Sequence, residues 1–260
     1  MTPRLTIDLN CDLGEGFGAY SMGDDTALMR VVSSANVACG FHAGDPRTML
    51  RSVEIARAHG VAVGAHPGFP DRVGFGRRDL GATDEEITTD VLYQIGALAA
   101  FCAGAGTALQ HVKPHGALYN IAARDRHVAD AVVAAIARFD PSLLLFAPAG
   151  SALERAASDH HLRVAREIFA DRAVERDGRL VARGAPGAVI TDSEVVIART
   201  LRMIRDGRVI AITGEEIEMT GETVCVHGDT PDAVGILGRL RAALETEGIS
   251  VRPVGGWIGR

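Results

Sequence analysis

The sequence predicts an α/β protein built as a closed β/α barrel with seven parallel strands. Short apolar runs alternate with longer helical patterns about seven times along the chain, which is typical of β/α units. Most of these runs are apolar on both faces, as expected for parallel strands between a packed interior and an outer layer of helices. A barrel accommodates 260 residues in one unit, so we expect residues 1–260 to form a single domain.

Seven segments are predicted to be strands because they are rich in Val, Ile, Leu and Ala. They are residues 5–11, 34–39, 61–65, 109–112, 143–147, 163–165 and 223–226. Helices are predicted between them at residues 24–32, 46–59, 83–104, 125–139, 151–158, 192–206 and 231–247. Two of the helix starts carry clear signals, since Asp45 precedes a proline and Thr83 with Glu86 forms a capping box.

Two segments interrupt this alternation. Residues 68–81 are too many for a plain βα loop. Residues 170–187 contain the turn pair Asp177 and Gly178, which predicts a β-hairpin. Both segments follow strand ends, where α/β proteins carry their functional loops.

Composition excludes several classes of partner. The formal net charge is −6 and the arginines are scattered, so we expect no nucleic-acid partner. The first residues contain no long apolar run, so neither a signal peptide nor a membrane span is predicted, and we expect a cytoplasmic protein. The four cysteines form no CxxC pair and are predicted to be reduced thiols.

Ionisable side chains follow nearly every predicted strand. In a closed parallel barrel these strand ends converge on one mouth, so residues distant in sequence can form one site. A single strand-end histidine could simply cap a turn, but the recurrence at successive strands favours a shared site. The ionisable residues are Asp12, Glu15, His42, Asp45, His66, Lys113, His115, Glu167, His227 and Asp229, and the polar Asn10 lies beside the first of them.

Lys113 is the only lysine, although the chain contains 27 Lys and Arg residues in total. A sequence that otherwise uses Arg and retains one ammonium suggests a role that a bulky guanidinium cannot fill. Such roles are compact stabilisation of an oxyanion and proton transfer. The alternative is that this lysine is a neutral replacement of an arginine.

Metal binding is a further hypothesis. Asp12, His42 and His66 come from three successive strands, and one carboxylate with two imidazoles is a usual catalytic ligand set for zinc or another divalent ion. No compact HExxH motif supports it. The chain also has no Walker loop, no dinucleotide fingerprint and no GxSxG nucleophile elbow.

Six longer motifs extend over nearly the whole chain. They are DLNCDLGEGFG (8–18), ANVACGFHAGDP (35–46), GAHPGFPDRVGFGRR (64–78), VKPHGALYN (112–120), EIFADRAV (167–174) and CVHGDTPDA (225–233). In this order they resemble the LamB/YcsF lactam-utilisation family, whose members are also called the A subunit of 5-oxoprolinase.

The resemblance implies a TIM-barrel-like, seven-stranded variant of the β/α barrel, related to the glycoside hydrolase/polysaccharide deacetylase type. It also implies a part in the hydrolytic opening of the 5-oxo-L-proline lactam to L-glutamate, coupled to hydrolysis of ATP with Mg²⁺. The partners that it implies are the 5-oxoprolinase subunits B and C.

The predicted roles follow from this chemistry. Lys113 stabilises charge on oxygen. An imidazole among His42, His66 and His115 accepts the proton of water, and Asp12 orients that base. Substrate binding is assigned to Asn10, Glu15, Asp45, Arg77, Arg78, Glu167, His227 and Asp229. Arg77 or Arg78 could hold the substrate carboxylate through a bidentate contact.

Two alternatives stay open from the sequence. The first is a metal-dependent amidase or deacetylase that acts alone, motivated by Asp12, His42 and His66. The second is a non-catalytic subunit that binds 5-oxoproline while its partners handle ATP, motivated by the missing phosphate loop.

Overall fold

The computed structural model describes residues 5–228, 230 and 232–259. The strands within them are β1 (Thr6–Leu13), β2 (Ser34–Ala38), β3 (Ala62–His66), β4 (Leu109–Val112), β5 (Leu144–Ala147), β6 (Arg163–Phe169), β7 (Arg208–Ile210), β8 (Glu216–Glu218), β9 (Thr223–Cys225) and β10 (Ser250–Val251). Strands β1 to β6 and β9 pair in parallel in that order, and β9 pairs back with β1. The barrel is therefore closed and seven-stranded, and the predicted TIM-barrel-like fold is confirmed. The prediction of a single domain stays a prediction.

The helices surround this barrel. They are α1 (Asp25–Leu28), α2 (Pro46–His59), α3 (Asp84–Gly104), α4 (Gly116–Ala122), α5 (Arg126–Phe139), α6 (Ala152–Asp159), α7 (Ser193–Asp206) and α8 (Ala233–Thr246). The predicted cap at Asp45 and the capping box of Thr83 and Glu86 are both present. The four cysteines are buried free thiols, as predicted.

The predicted hairpin in residues 170–187 is present only as isolated bridges, which pair Arg172 with Val189 and Val174 with Leu180. The buried guanidinium of Arg172 donates to the carbonyls of Ala188 and Val181. The Ala188 carbonyl also accepts a hydrogen bond from the Ala173 nitrogen at 3.0 Å, so the guanidinium joins the two sides of this segment in addition to its few backbone bonds.

Helix α3 anchors the long loop that follows β3. The buried amide of Gln94 accepts a hydrogen bond from the Gly68 nitrogen and donates one to the Gly68 oxygen, each at 3.0 Å. By length and a mean hydropathy of 1.3, α3 would also suit a membrane span, and it is the one such helix in the described chain. Its acidic first turn and its bonded Gln94 instead fit a helix packed on the barrel. The predicted cytoplasmic location, without membrane or nucleic-acid partners, stays a prediction.

A layer of buried polar groups fills the barrel interior near the start of β1. The carboxylate of Asp8 is fully buried and accepts hydrogen bonds of 2.6 to 2.7 Å from the hydroxyls of Ser33, Ser34 and Thr223. Burial raises the pKa of Asp8 from 3.8 to about 6, although these three hydrogen bonds oppose the increase.

This pKa predicts a stability that falls as the pH rises. The folded protein holds the Asp8 proton more tightly than the unfolded chain, so its contribution is complete below pH 3.8 and is lost by about pH 6. A shift of this size corresponds to about 3 kcal/mol. In urea unfolding, the free energy of unfolding of wild type should fall relative to that of Asp8→Asn as the pH rises from 3.8 to about 6. Above this range the difference in unfolding free energy between the two proteins should no longer change with pH. Parallel pH profiles of the two proteins would contradict the prediction.

Candidate active site

The ammonium of Lys113, directly after β4, lies buried among groups from three other barrel strands. Its Nζ is 2.9 Å from Asp12 Oδ1 on β1 and 2.9 Å from Glu167 Oε1 on β6. It is also 3.1 Å from the Cys225 sulfur on β9 and 3.4 Å from Asn10 Oδ1. Barrel closure is thus what brings Asp12 and Cys225, which are 101 and 112 positions from Lys113 in the chain, around one cation with Glu167.

These neighbours stabilise the charged forms of the central pair. Burial alone would favour neutral Lys113, but the carboxylates of Asp12 and Glu167 raise its pKa well above the ordinary value. Burial likewise opposes ionisation of Asp12, yet His66 and Lys113 hold its pKa well below the usual range. Burial raises the pKa of the Cys225 thiol, which is therefore neutral. The site contains an ammonium–carboxylate pair beside a thiol.

A chain of amides and an imidazole orients Asp12. Asn36 Nδ2 donates to Asp12 Oδ1 at 2.8 Å and to Asn10 Oδ1 at 2.7 Å. His111 Nε2 lies 2.7 Å from Asn36 Oδ1, so this nitrogen donates and fixes the orientation of the amide. Burial lowers the pKa of His111 to about 3, which keeps the ring neutral. Sequence reasoning missed Asn36 and His111; the available signal was two polar residues within apolar strands.

Tyr119 on α4 is a further residue that the sequence analysis missed. Its hydroxyl donates to Glu167 Oε2 at 2.8 Å, while Asn10 Nδ2 donates to Glu167 Oε1 at 3.0 Å. Helix α4 was not predicted, because the residue before it, His115, is not a typical N-cap. In the structure its side chain makes no capping hydrogen bond. The GALYN part of its motif was the only available signal.

Beside this pair lies a cluster of three buried histidines with Glu15. The rings of His42 and His115 stack with centroids 3.7 Å apart and an interplanar angle of 1°. His66 Nε2 is 2.9 Å from His115 Nδ1 and 3.4 Å from Asp12 Oδ2. Gly76 packs against the two stacked rings with φ +62°, and a Cβ there would lie 2.7 Å from His42 Cβ. Only glycine therefore suits this position.

The predicted metal ligands fall into two groups of closely spaced ligand atoms. The group whose ligand atoms all lie within 4.8 Å of one another is Glu15, His42, His66 and His115. Asp12 belongs instead to a second group, with Cys225 and His227. The predicted ligands Asp12, His42 and His66 are therefore divided between the two groups, and metal binding by that set stays a prediction.

Other predicted substrate-binding residues hold structural partners. His227 Nδ1 lies 3.1 Å from both carboxylate oxygens of Asp171. Asp45 accepts from the backbone at the start of α2 and from the Gly18 nitrogen. Arg78 forms an ion pair with Asp71.

Arg77 lies with its guanidinium 4.9 Å above the ring of Phe75, and its charge contributes to lowering the pKa of His115. Asp229 lies outside the described residues. The substrate-binding roles of all these residues stay predictions.

Two cavities adjoin the site. The first, of about 10 Å³, is lined by Asp12, Glu15 and Gly228 and has room for about one water molecule. This cavity alone is too small for a lactam. The second is a cleft of about 660 Å³ between α2, α3 and the loop after β3, and its lining includes Asp45 and Arg78.

Comparison with known proteins identifies the family. The model of the LamB/YcsF family matches residues 7–258. The chain belongs to the LamB/YcsF family. This LamB/YcsF chain is 55% identical over 249 residues to a protein from Symbiobacterium thermophilum named as the A subunit of 5-oxoprolinase, covering 96% of this chain and 95% of that one. A protein of the same name from Pyrococcus abyssi is 50% identical, covering 98% and 100%.

Solved structures agree with this assignment. The crystal structure of a lactam utilization protein from Thermus thermophilus superposes on the LamB/YcsF chain with a TM-score of 0.91. The two sequences are 49% identical, and the alignment covers 95% of this chain and 99% of that one. The polysaccharide deacetylase Bc1974 from Bacillus cereus aligns with a TM-score of 0.49 and 11% identity, a likeness too distant to support an argument about this site.

Proposed function

We propose that this chain is the A subunit of an ATP-dependent 5-oxoprolinase. With two partner subunits, B and C, it opens the lactam of 5-oxo-L-proline by hydrolysis to L-glutamate. Relatives with this name are 50 to 55% identical over nearly their full length, which supports the proposal. The observation that carries it furthest is the single ammonium, Lys113, held between two buried carboxylates beside three histidines.

This arrangement suits the chemistry of a lactam. A five-membered lactam is an unreactive amide, and transfer of a phosphoryl group from ATP with Mg²⁺ to its oxygen makes the carbonyl carbon more electrophilic and releases ADP. Water adds to this carbon, the ring C–N bond breaks as the nitrogen takes up a proton, and a second water hydrolyses the resulting acyl phosphate to the carboxylate and inorganic phosphate. Charge then develops on oxygen, and a preorganised ammonium in a water-poor site stabilises such charge strongly. Lys113 is positioned for this role, because Asp12 and Glu167 keep it charged and fixed in place.

The attacking water must also lose a proton. His66 and His115 direct ring nitrogens into the space beside Asp12, and such nitrogens can accept that proton. Asp12 Oδ2, 3.4 Å from His66 Nε2, then stabilises the imidazolium. For the substrate carboxylate we favour Arg77 over Arg78, since the Arg78 guanidinium is paired with Asp71.

A reconstituted assay tests the proposal. The purified chain, mixed with subunits B and C, 5-oxo-L-proline and ATP with Mg²⁺, should release L-glutamate, measured by a coupled dehydrogenase reaction. Omitting this chain, either partner or ATP should abolish the product.

Other outcomes identify the alternatives. Glutamate formed by this chain alone without ATP would indicate a stand-alone amidase. Undiminished turnover by subunits B and C without this chain would give it a merely accessory role.

A further inference from the structure

Four successive barrel strands each contribute one side chain of a type that can bind metal ions to the histidine cluster. Glu15 follows β1, His42 follows β2, His66 ends β3 and His115 follows β4. All four side chains are buried, and one ligand atom from each lies within 4.8 Å of the others. Buried groups of this kind need a partner that satisfies them.

Backbone carbonyls fix the hydrogen positions on two of the rings. His66 Nδ1 lies 2.7 Å from the carbonyl oxygen of Lys113, and His115 Nε2 lies 2.8 Å from that of Phe75. A carbonyl oxygen only accepts, so each of these nitrogens must carry a hydrogen. In a neutral imidazole the other nitrogen is then a bare acceptor.

The two acceptor nitrogens that remain point at one another. His66 Nε2 and His115 Nδ1 are 2.9 Å apart. Two lone pairs at that distance repel unless a cation lies beside both. A proton on either ring would remove the conflict for this pair, but it would leave both nitrogens of the buried His42 without a partner among the described residues.

The third imidazole, that of His42, faces the same space with nitrogens that lack hydrogen-bond partners. Neither nitrogen of His42 has a hydrogen-bond partner within the described part of the chain, although the residue is only 1% exposed. Glu15 Oε1 lies 3.6 Å from His42 Nε2 and 3.7 Å from His115 Nδ1. Ligand atoms around a tetrahedral zinc ion with bonds of about 2.0 Å lie about 3.3 Å apart, close to these spacings.

We propose that Glu15, His42, His66 and His115 bind one divalent cation of the zinc type. Three imidazoles and a carboxylate are a preferred donor set for zinc, and the bound ion would neutralise the opposed lone pairs. Such an ion supplies Lewis acidity, which polarises an amide oxygen or acidifies water. His66 and His115 are then ligands and not proton acceptors, so the inference refines the proposed function on which it rests.

The second group of ligand atoms is a poorer cation site. Asp12 and Cys225 are both in contact with the ammonium of Lys113, whose charge repels another cation. His227 is already paired with Asp171. The cluster around His42 is therefore the favoured site.

Cobalt titration of the full-length chain tests the proposal. After treatment with a chelator, the protein should bind one equivalent of Co²⁺ with visible d–d absorption, and Zn²⁺ should displace it. Glu15→Gln and His42→Ala should each weaken binding by more than about 100-fold, since loss of outer-sphere partners alone costs 10- to 100-fold. His127→Ala, at an exposed histidine, is the matched control and should bind as wild type does.

Three results would overturn the assignment. These are no Co²⁺ binding by wild type, undiminished binding by both cluster variants, and a thiolate charge-transfer band that disappears in Cys225→Ser. Thermal unfolding of each variant separates lost binding from lost folding. Cation binding is measured without substrate, so a failed glutamate assay would contradict the proposed function but not the cation site. Glutamate formation by the metal-free protein would contradict a role of the cation in the reaction but not the proposed function.

Discussion

Replacing Lys113 by arginine is expected to lower kcat/KM for ATP-coupled lactam opening by about 100- to 1000-fold, the usual cost of losing one oxyanion donor. The guanidinium keeps the positive charge, but it is larger and planar, and the ammonium is only 3% exposed among Asp12, Glu167 and Cys225. The reconstituted glutamate assay measures the effect. The reverse exchange, Arg138→Lys on the exposed side of α5, is the matched control and should leave turnover unchanged.

Lys113→Met removes the positive charge but keeps a long unbranched side chain, and it is also expected to lower the stability of the fold. Removing the ammonium leaves the carboxylates of Asp12 and Glu167 buried without their cation, which typically costs about 3 to 5 kcal/mol. The double variant Lys113→Met with Glu167→Gln removes one of those charges and should recover part of the stability without recovering turnover. Near-normal turnover by a folded Lys113→Arg or Lys113→Met protein would disprove the role assigned to the ammonium.

Gly64→Ala is expected to destabilise the barrel by more than about 4 kcal/mol, a size reserved for severe core overlap. A Cβ at residue 64 on β3 would lie 2.0 Å from His111 Nε2 and 2.2 Å from its Cδ2. The imidazole cannot move aside, because it stacks on Phe146 at 3.9 Å and is bonded to Asn36. Urea unfolding, or the yield of folded protein, measures the loss.

The matched control for this prediction is Gly96→Ala on α3, where a Cβ meets nothing within 4 Å. Alanine favours a helix over glycine by up to about 1 kcal/mol, so this variant should be as stable as wild type or more so. The double variant Gly64→Ala with His111→Ala relieves the overlap and should regain part of the loss. A Gly64→Ala protein as stable as wild type would show that the interior around His111 adapts.

The barrel could be predicted from sequence because its strands differ sharply from their surroundings. The run that became β5 is apolar on both faces, and Asp45 and Thr83 mark helix starts unambiguously. The hairpin of β7 and β8 was missed because its strands have only three residues each. Such short strands produce little periodicity.

The site was predicted less completely, since a strand-end position does not tell where a side chain finds its partner. Asp45 and Arg78 occur in the same motifs as His42 and His66, yet one caps α2 and the other pairs with Asp71. Tyr119 reaches Glu167 only through barrel closure, a contact between residues 48 positions apart. Contacts of this kind depend on tertiary geometry that local pattern does not encode.

Lys113 contributes two independent groups to this centre, and they respond differently to mutation. Its side chain supplies the ammonium, whereas its carbonyl oxygen accepts the hydrogen of His66 Nδ1. Substitution changes the first group and leaves the second in every amino acid. Because the hydrogen bond that fixes the His66 tautomer goes to the backbone, a substitution at position 113 leaves that bond in place. Evolution could therefore change the side-chain charge at position 113 without reorienting the imidazole of His66.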